Sequence, residues 1–297
     1  MRCIGPLTTA AGLLLGCGAA LSGLVGQRAA SLAAVAFFLL SNLVPDQADD
    51  PSLLGLVCGL IATLMGYGIG AAGQLLWSML ALGSTDPTRE WTEDPVKLLR
   101  LPLFLVFVTL FHAAEFSFTV LFHTKKVEFR AFLLTPVPSA GYSIAMVAAL
   151  AEFWMEQAVL SNFLMTPRAV SVALLSLGSI LSFSGWACRT AALFTAQSNF
   201  THLLAWQKEP SHRLVTAGVY RLCRHPGYVG WFMWSVSTQL VLGNIICLAA
   251  YAVVSWRFFA GRIPHEEAML VEFFGDQYLE YAEQVPCGIP GISHLNR

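Results

Sequence analysis

Long apolar runs follow one another through this chain and leave it few ways to fold. Eight of them are readable, over 9–25, 30–44, 53–82, 98–122, 138–160, 169–196, 227–242 and 245–260. A helix needs about 20 mostly apolar residues to cross a bilayer. Charged residues make up 12% of the 297 and hydrophobic ones 56%, with a mean hydropathy of +0.63. Soluble domains carry about 25% charged residues. Backbone in hydrocarbon must satisfy its own hydrogen bonds, and a helix does so within one segment. The expected fold is therefore all-α and polytopic, with about eight transmembrane helices. The runs 9–25 and 30–44 are short and parted only by GQRAA, so they read as a tight helical hairpin. The first of them is expected to be a retained membrane helix rather than a cleaved leader. The run 53–82 is long enough to need tilt. The last two runs are split by Gly243 and Asn244 and read as a hairpin that need not cross the bilayer fully.

Orientation follows from lysine and arginine in short loops. Lys125, Lys126 and Arg130, then Lys208, Arg213, Arg221 and Arg224, then Arg257, Arg262 and Arg297 fall on one side of an eight-span layout. Arg28, Arg89, Lys97, Arg100 and Arg168 fall on the other. The richer side is expected to be cytosolic. The sequon at Asn199, Phe200 and Thr201 lies on that side and should stay unglycosylated. A net charge of −1 gives no case for nucleic-acid binding. The seven cysteines are scattered, without CxxC or a His/Cys metal spacing, and read as small buried hydrophobes, so no metal is expected.

Composition shifts once, near residue 197. Residues 1–196 read as a transmembrane bundle and 197–297 as a catalytic region of loops, a helical hairpin and an amphipathic helix over 264–283. That last helix sets Met269, Leu270, Phe273 and Phe274 on one face, against the membrane or the site. Small residues crowd the first three spans and fit close helix packing. Five ionisable residues sit inside spans: His112, Glu115, Glu152, Glu156 and Arg189. Charges there face a partner or a cavity. Interhelical pairing, for instance Arg189 with a glutamate, is one reading, with His112 and Glu156 wetted near span ends. An ion or proton path, and hence a transporter, is the other.

The densest polar stretch is SHRLVTAGVYRLCRHPGYVG, over 211–230. Proline suits the first position of a helix, so Pro226 reads as opening one, with His225 and Arg224 at its mouth. Free N–H groups at a helix start attract an anion, and the two side chains strengthen that pull. With NFTH (199–202), the longer run 212–239, WRFFAGR (256–262), Glu266, Glu267, FFGDQYLEY (273–281) and VPCGIPGI (285–292), this stretch resembles the catalytic region of isoprenylcysteine carboxyl methyltransferases. That family comprises integral membrane enzymes that methylate prenylated C-terminal cysteines. The signature RHPxYxG alone is similar to that of bacterial and phospholipid methyltransferases, with related arrangements in sterol reductases; RHPGYVGW with WRFF, Glu266, Glu267 and FFGDQYLEY in this order is more selective.

The resemblance implies S-adenosylmethionine as cofactor, held at His212, Arg213, Leu214, Val215, Tyr220, His225, Pro226, Gly227, Tyr228 and Glu266. It puts the substrate-binding arginine at Arg262. A glutamine that the family can carry after NFTH falls on Ala205, with Gln207 two residues on. The residue types suit these roles. The cofactor's carboxylate wants cations or helix-start N–H groups, its ribose or ammonium wants a carboxylate such as Glu266, and its adenine wants apolar and aromatic packing. A prenylcysteine carboxylate is already ionised and needs an arginine fork rather than a base. Arg262 and Glu266 are thus the candidate catalytic residues, with Arg257 and Arg224 as competitors for the carboxylate. Trp231, Trp234 and Trp256 read as membrane-interface anchors. The prenyl chain is expected to enter sideways from lipid and the cofactor from the cytosol. The family also implies an endoplasmic reticulum membrane and prenylated CaaX proteins such as small GTPases. A phospholipid N-methyltransferase on the same scaffold is the alternative.

Overall fold

The computed structural model describes residues 63–64, 66–71, 73, 95–123, 141–158, 167–202, 207–208, 210 and 212–292. The expected spans 9–25 and 30–44 and most of 53–82 lie outside them. Among the described residues every regular element is a helix. The longer ones are α1 (Pro95–Phe122), α2 (Gly141–Ala158), α3 (Arg168–Ala196), α4 (Pro226–Leu242), α5 (Ile246–Phe274) and α6 (Asp276–Gln284). Short 3-10 turns stand at Gln197–Asn199 and Gly218–Arg221. Among the described residues three segments are long and apolar enough to cross a membrane: Val96–Phe122, Arg168–Asn199 and Ile246–Phe274.

The pairing of α3 with α4 is the spine of the fold, with α1 lying against both and α5 against α4. The buried face of α3 runs Ser171, Leu175, Gly178, Ser182, Gly185, Arg189, at alternating steps of four and three. A seam of small residues lets two backbones approach closely, which is how helices associate without a hydrophobic drive. Opposite it, α4 presents Gly230, Trp234, Ser237 and Val241. Ser182 and Ser237 share a hydrogen bond across the seam at 2.9 Å. The small residues expected in the earlier spans have a described counterpart at Gly68, where a Cβ would lie 2.7 Å from the Pro102 carbonyl.

Two expectations are corrected. Trp234 is not at the membrane interface: it is fully buried, stacks on Phe111 with centroids 4.0 Å apart, and donates to the Phe107 carbonyl at 3.2 Å. The helix expected to end near residue 260 instead runs to Phe274, straight through Pro264. Proline costs one backbone hydrogen bond there. The buried ridge Ser255, Phe259, Ile263 and Glu267 continues across it at steps of four, and this packing keeps the helix going. The break comes at Gly275, with φ of 55°. The helix expected over 264–283 is therefore the end of α5 plus α6.

Glu152 is buried in α2 for a reason visible at the α4–α5 turn. Its carboxylate accepts the N–H groups of Ile245, Ile246 and Cys247 at 2.8, 2.6 and 2.6 Å. These are orphan donors of a helix start, capped here from a different helix. Asn244 ties the same turn to α2 through the Ala149 carbonyl at 2.9 Å. Replacing Glu152 by alanine is expected to cost about 2–4 kcal/mol, since hydrogen bonds to a buried charge are worth about 1.5–3 kcal/mol each and part is regained by relaxation. A thermal melt of the variant in detergent measures the cost; an unchanged midpoint would show that the cap is dispensable.

Candidate active site

The mouth of α4 is set by chemistry that the sequence announces. Pro226 stands at the first helical position and His225 at the cap, with φ of −119°. The preceding turn is pinned to the C-terminal tail. Arg224 N–H donates to the Pro286 carbonyl at 2.8 Å and His225 N–H to the Cys287 carbonyl at 3.2 Å. Gly288 makes this approach feasible: its φ is 105°, and a Cβ there would lie 2.7 Å from Val229 Cγ2 and 2.8 Å from Cys223 Cβ.

Glu267, buried on α5, gathers this corner. One carboxylate oxygen, Oε1, accepts from Arg224 Nε at 2.8 Å and from His225 Nε2 at 3.0 Å, with Arg224 Nη2 also 2.8 Å away. Arg224 Nη1 donates to the carbonyls of Ala282 and Val285 at 3.0 and 2.6 Å. Burial disfavours charge on Arg224, yet the Glu267 carboxylate outweighs it and holds the guanidinium above its ordinary pKa. Arg224 is thereby consumed as a structural tie and drops out as a competitor for a substrate carboxylate. His225, Glu267 and Cys287 each offer a ligand atom within 4.8 Å of one another. That trio escapes a reading by sequence spacing, and the same Glu267 oxygen already carries a guanidinium. Nearby, burial and the neighbouring Cys188 and Cys287 push the Cys223 thiol up to about 11. Burial raises Tyr281 to about 12, so it stays a phenol and donates to the Tyr220 carbonyl at 2.6 Å.

Glu266, the next residue, faces the other way. Its Oε2 accepts from the Tyr228 hydroxyl, and its Oε1 lies 4.0 Å from His225 Nδ1. The ring of Tyr228 stacks on that of His225 at 6° between planes. Arg262, one turn earlier on α5, donates from Nε to the Tyr228 hydroxyl at 2.8 Å and from Nη2 to the His202 carbonyl at 2.6 Å. Among the described residues these are its hydrogen bonds, and they leave the rest of the guanidinium fork for a ligand.

A single cleft collects these groups. His212, Arg213, Leu214, Val215, Tyr220, His225, Pro226, Gly227, Tyr228 and Glu266, the ten positions the resemblance marks, all line it, and so does Arg262. The α5 face of Met269, Leu270, Phe273 and Phe274 closes another wall, so it faces the cleft. Asn199 holds the incoming strand of chain, accepting the Arg213 N–H at 2.8 Å on its side-chain oxygen. Arg257 lies exposed on α5 and does not line the cleft. Tyr278 and Tyr281 of α6 line it without having been singled out, because α6 reaches the site only after the break at Gly275.

The comparisons fit this geometry. The family model described as "Isoprenylcysteine carboxyl methyltransferase (ICMT) family" matches residues 177–272, from mid-α3 to the end of α5. The chain is 41% identical over 195 residues to the protein-S-isoprenylcysteine O-methyltransferase A of Arabidopsis thaliana, covering 65% of this chain and 94% of that protein. The chain belongs to the isoprenylcysteine carboxyl methyltransferase family. The protein-S-isoprenylcysteine O-methyltransferase of Mus musculus is 41% identical over 186 residues, covering 62% of this chain. The match spans 63% of the length of that mouse protein and of its human counterpart. A solved structure of the eukaryotic intramembrane Ras methyltransferase of this family superposes with a TM-score of 0.68 at 29% identity, covering 96% of this chain and 94% of that one. A family of intramembrane enzymes agrees with the long apolar helices and places this chain among multi-pass membrane proteins.

Proposed function

We propose that this chain methylates the C-terminal carboxylate of prenylated cysteine, with S-adenosylmethionine as methyl donor. The observation that carries the reading is the Arg262–Tyr228–Glu266–His225 arrangement in one cleft, built on helices long enough to sit in a membrane. An arginine with part of its fork unused suits a carboxylate acceptor. A carboxylate beside a histidine and a helix mouth suits a zwitterionic nucleoside donor. S-adenosylmethionine supplies, when bound, an electrophilic methyl group on a sulfonium.

Each residue then has a task. The mouth of α4, with His225, Pro226 and Gly227, would hold the amino-acid end of the donor. Glu266, fixed by Tyr228, would take its ribose hydroxyls or ammonium. Leu214, Val215 and Tyr220, with His212 and Arg213, would pack its base and rim. Arg262 would align the acceptor oxygen for in-line attack, so the site contributes by position rather than by proton transfer. Such an attack would discharge a negative oxygen and a positive sulfur together, so the residues around it would need to supply no proton. In this reading residues 197–297 form the catalytic region and 1–196 the membrane bundle. The cleft opens to the cytosol, the prenyl chain enters from lipid, and about eight helices cross an endoplasmic reticulum membrane. The acceptors are CaaX-processed proteins such as small GTPases.

The test uses the full-length protein in lipid nanodiscs with labelled S-adenosylmethionine. N-acetyl-S-farnesylcysteine or its geranylgeranyl analogue should gain a base-labile methyl ester, while phosphatidylethanolamine stays unlabelled. Label on the phospholipid alone would move the chain to the alternative chemistry.

A further inference from the structure

The buried charges of α1 and α3 remain to be accounted for. Glu115 is 1% exposed and Arg189 5% exposed, which is costly in a membrane unless each has partners. Glu115 Oε1 accepts from Arg189 Nε at 2.6 Å, and its Oε2 accepts from His202 Nε2 at 2.8 Å. One carboxylate therefore joins two walls of the cleft. Through Arg189, whose Nη1 donates to the Gly227 carbonyl at 3.2 Å, it reaches the mouth of α4. Through His202 it reaches the backbone carbonyl that receives Arg262 Nη2 at 2.6 Å. Packing closes the same unit: the Arg189 guanidinium sits 5.0 Å from the centroid of the Phe200 ring, and Phe200 is in edge contact with His202.

This arrangement has more in it than ion pairing needs. Arg189 alone would neutralise Glu115. The second carboxylate oxygen instead anchors His202, on the irregular segment that follows α3. Phe200, Thr201 and His202 lie beyond the 3-10 turn and belong to no helix, so no helical hydrogen bond among the described residues holds the residue 202 carbonyl in place. Arg262 makes its only described backbone contact there, and the direction of its fork depends on where that carbonyl sits. The residue that fixes the carbonyl thus fixes the fork. His112, also on α1, is buried, not wetted as its place near a span end suggests, and pairs with the Tyr142 hydroxyl.

We propose that Glu115 is the positioning residue for Arg262, acting through His202 across the α1–α3 interface. It touches neither substrate nor cofactor and sets the affinity for the acceptor carboxylate rather than for the methyl donor. The inference rests on the functional reading above, since it gives Arg262 the acceptor's carboxylate.

His202→Ala is the primary test, because it cuts the link to Arg262 and leaves the buried Arg189–Glu115 pair intact. The KM for N-acetyl-S-farnesylcysteine is expected to rise about tenfold, while the Kd for S-adenosylmethionine by calorimetry stays within about twofold. Glu115→Gln keeps the side-chain shape and should act in the same direction. The double variant should raise the KM no further than the worse single one, because both changes break one chain of contacts. A folded His202→Ala protein with unchanged acceptor KM overturns the inference. So does an equal loss of donor affinity, which marks a general loosening of the site. Strict additivity in the double variant also overturns it. Wild-type protein that methylates no prenylcysteine overturns the functional reading, and this inference with it.

Discussion

Arg262→Ala should reduce methyl transfer to a prenylcysteine by about a thousandfold in kcat/KM, equivalent to about 4 kcal/mol of transition-state stabilisation. The size follows from what the side chain is built to do. Two of its donors are spent on Tyr228 and the His202 carbonyl, so the fork is already oriented before a ligand arrives. A fixed guanidinium aligns both oxygens of a carboxylate, and small errors in that alignment are costly for an in-line displacement. Arg262→Lys should recover little, because an ammonium supplies charge without the paired geometry. Donor binding should change far less than turnover in either variant, since the Tyr228 hydroxyl still donates to Glu266 once its contact from Arg262 is lost. Steady-state rates with labelled donor, set beside donor affinity by calorimetry, separate these statements. Turnover near wild type in Arg262→Ala would remove this residue from the site. Loss of donor binding with loss of turnover would reassign it to the donor.

What the sequence revealed of this site, and what it hid, divides along a physical line. His225, Pro226 and the residues around them are legible because helix starts obey local rules: proline at the first position, a cap before it, free N–H groups within. The α1 and α3 helices are legible because a membrane demands apolar runs of a set length. Glu267 was hidden, since nothing local tells a buried tie from its neighbour Glu266, which faces the cleft. The two point apart only because consecutive residues on a helix are about 100° apart, and Arg224 awaits one of them. Glu152 was hidden for the same reason: its partners are the N–H groups of Ile245, Ile246 and Cys247, 93 to 95 positions away. Pro264 misled because a local penalty was set against a tertiary ridge, and the ridge prevailed. The seam of α3 was legible in principle. Ser171, Gly178, Ser182 and Gly185 mark one face at steps of seven, four and three, but the glycine-rich strings of the earlier spans are the louder signal.

That seam yields the second large effect, Gly230→Ala, which is expected to leave little or no folded protein. A Cβ at Gly230 would lie 2.5 Å from the Arg189 nitrogen and 2.7 Å from the Gly185 carbonyl oxygen. Both are backbone atoms of α3, so no rotamer change can relieve the overlap; α3 and α4 must part. The seam is symmetric in this respect, because a Cβ at Gly185 would lie 2.5 Å from the Trp234 nitrogen. Overpacking commonly costs about 1–3 kcal/mol and more when backbone must move. Here the separation also strains the Ser182–Ser237 bond and the Arg189 contact to Gly227, so the cost should stand at or above the top of that range. Gly261→Ala supplies the control. It makes the same chemical change on a helix, at a position where an added Cβ meets nothing within 4 Å among the described residues. Alanine is the better helix former by about 1 kcal/mol, so this variant should melt at or above the wild-type temperature. Fluorescence-detected size exclusion and thermal melts on the pair read the contrast. Equal, mild behaviour of both variants would mean that α3 and α4 do not approach as closely as their glycines allow, and the cleft at the mouth of α4 would lose the wall that Arg189 holds.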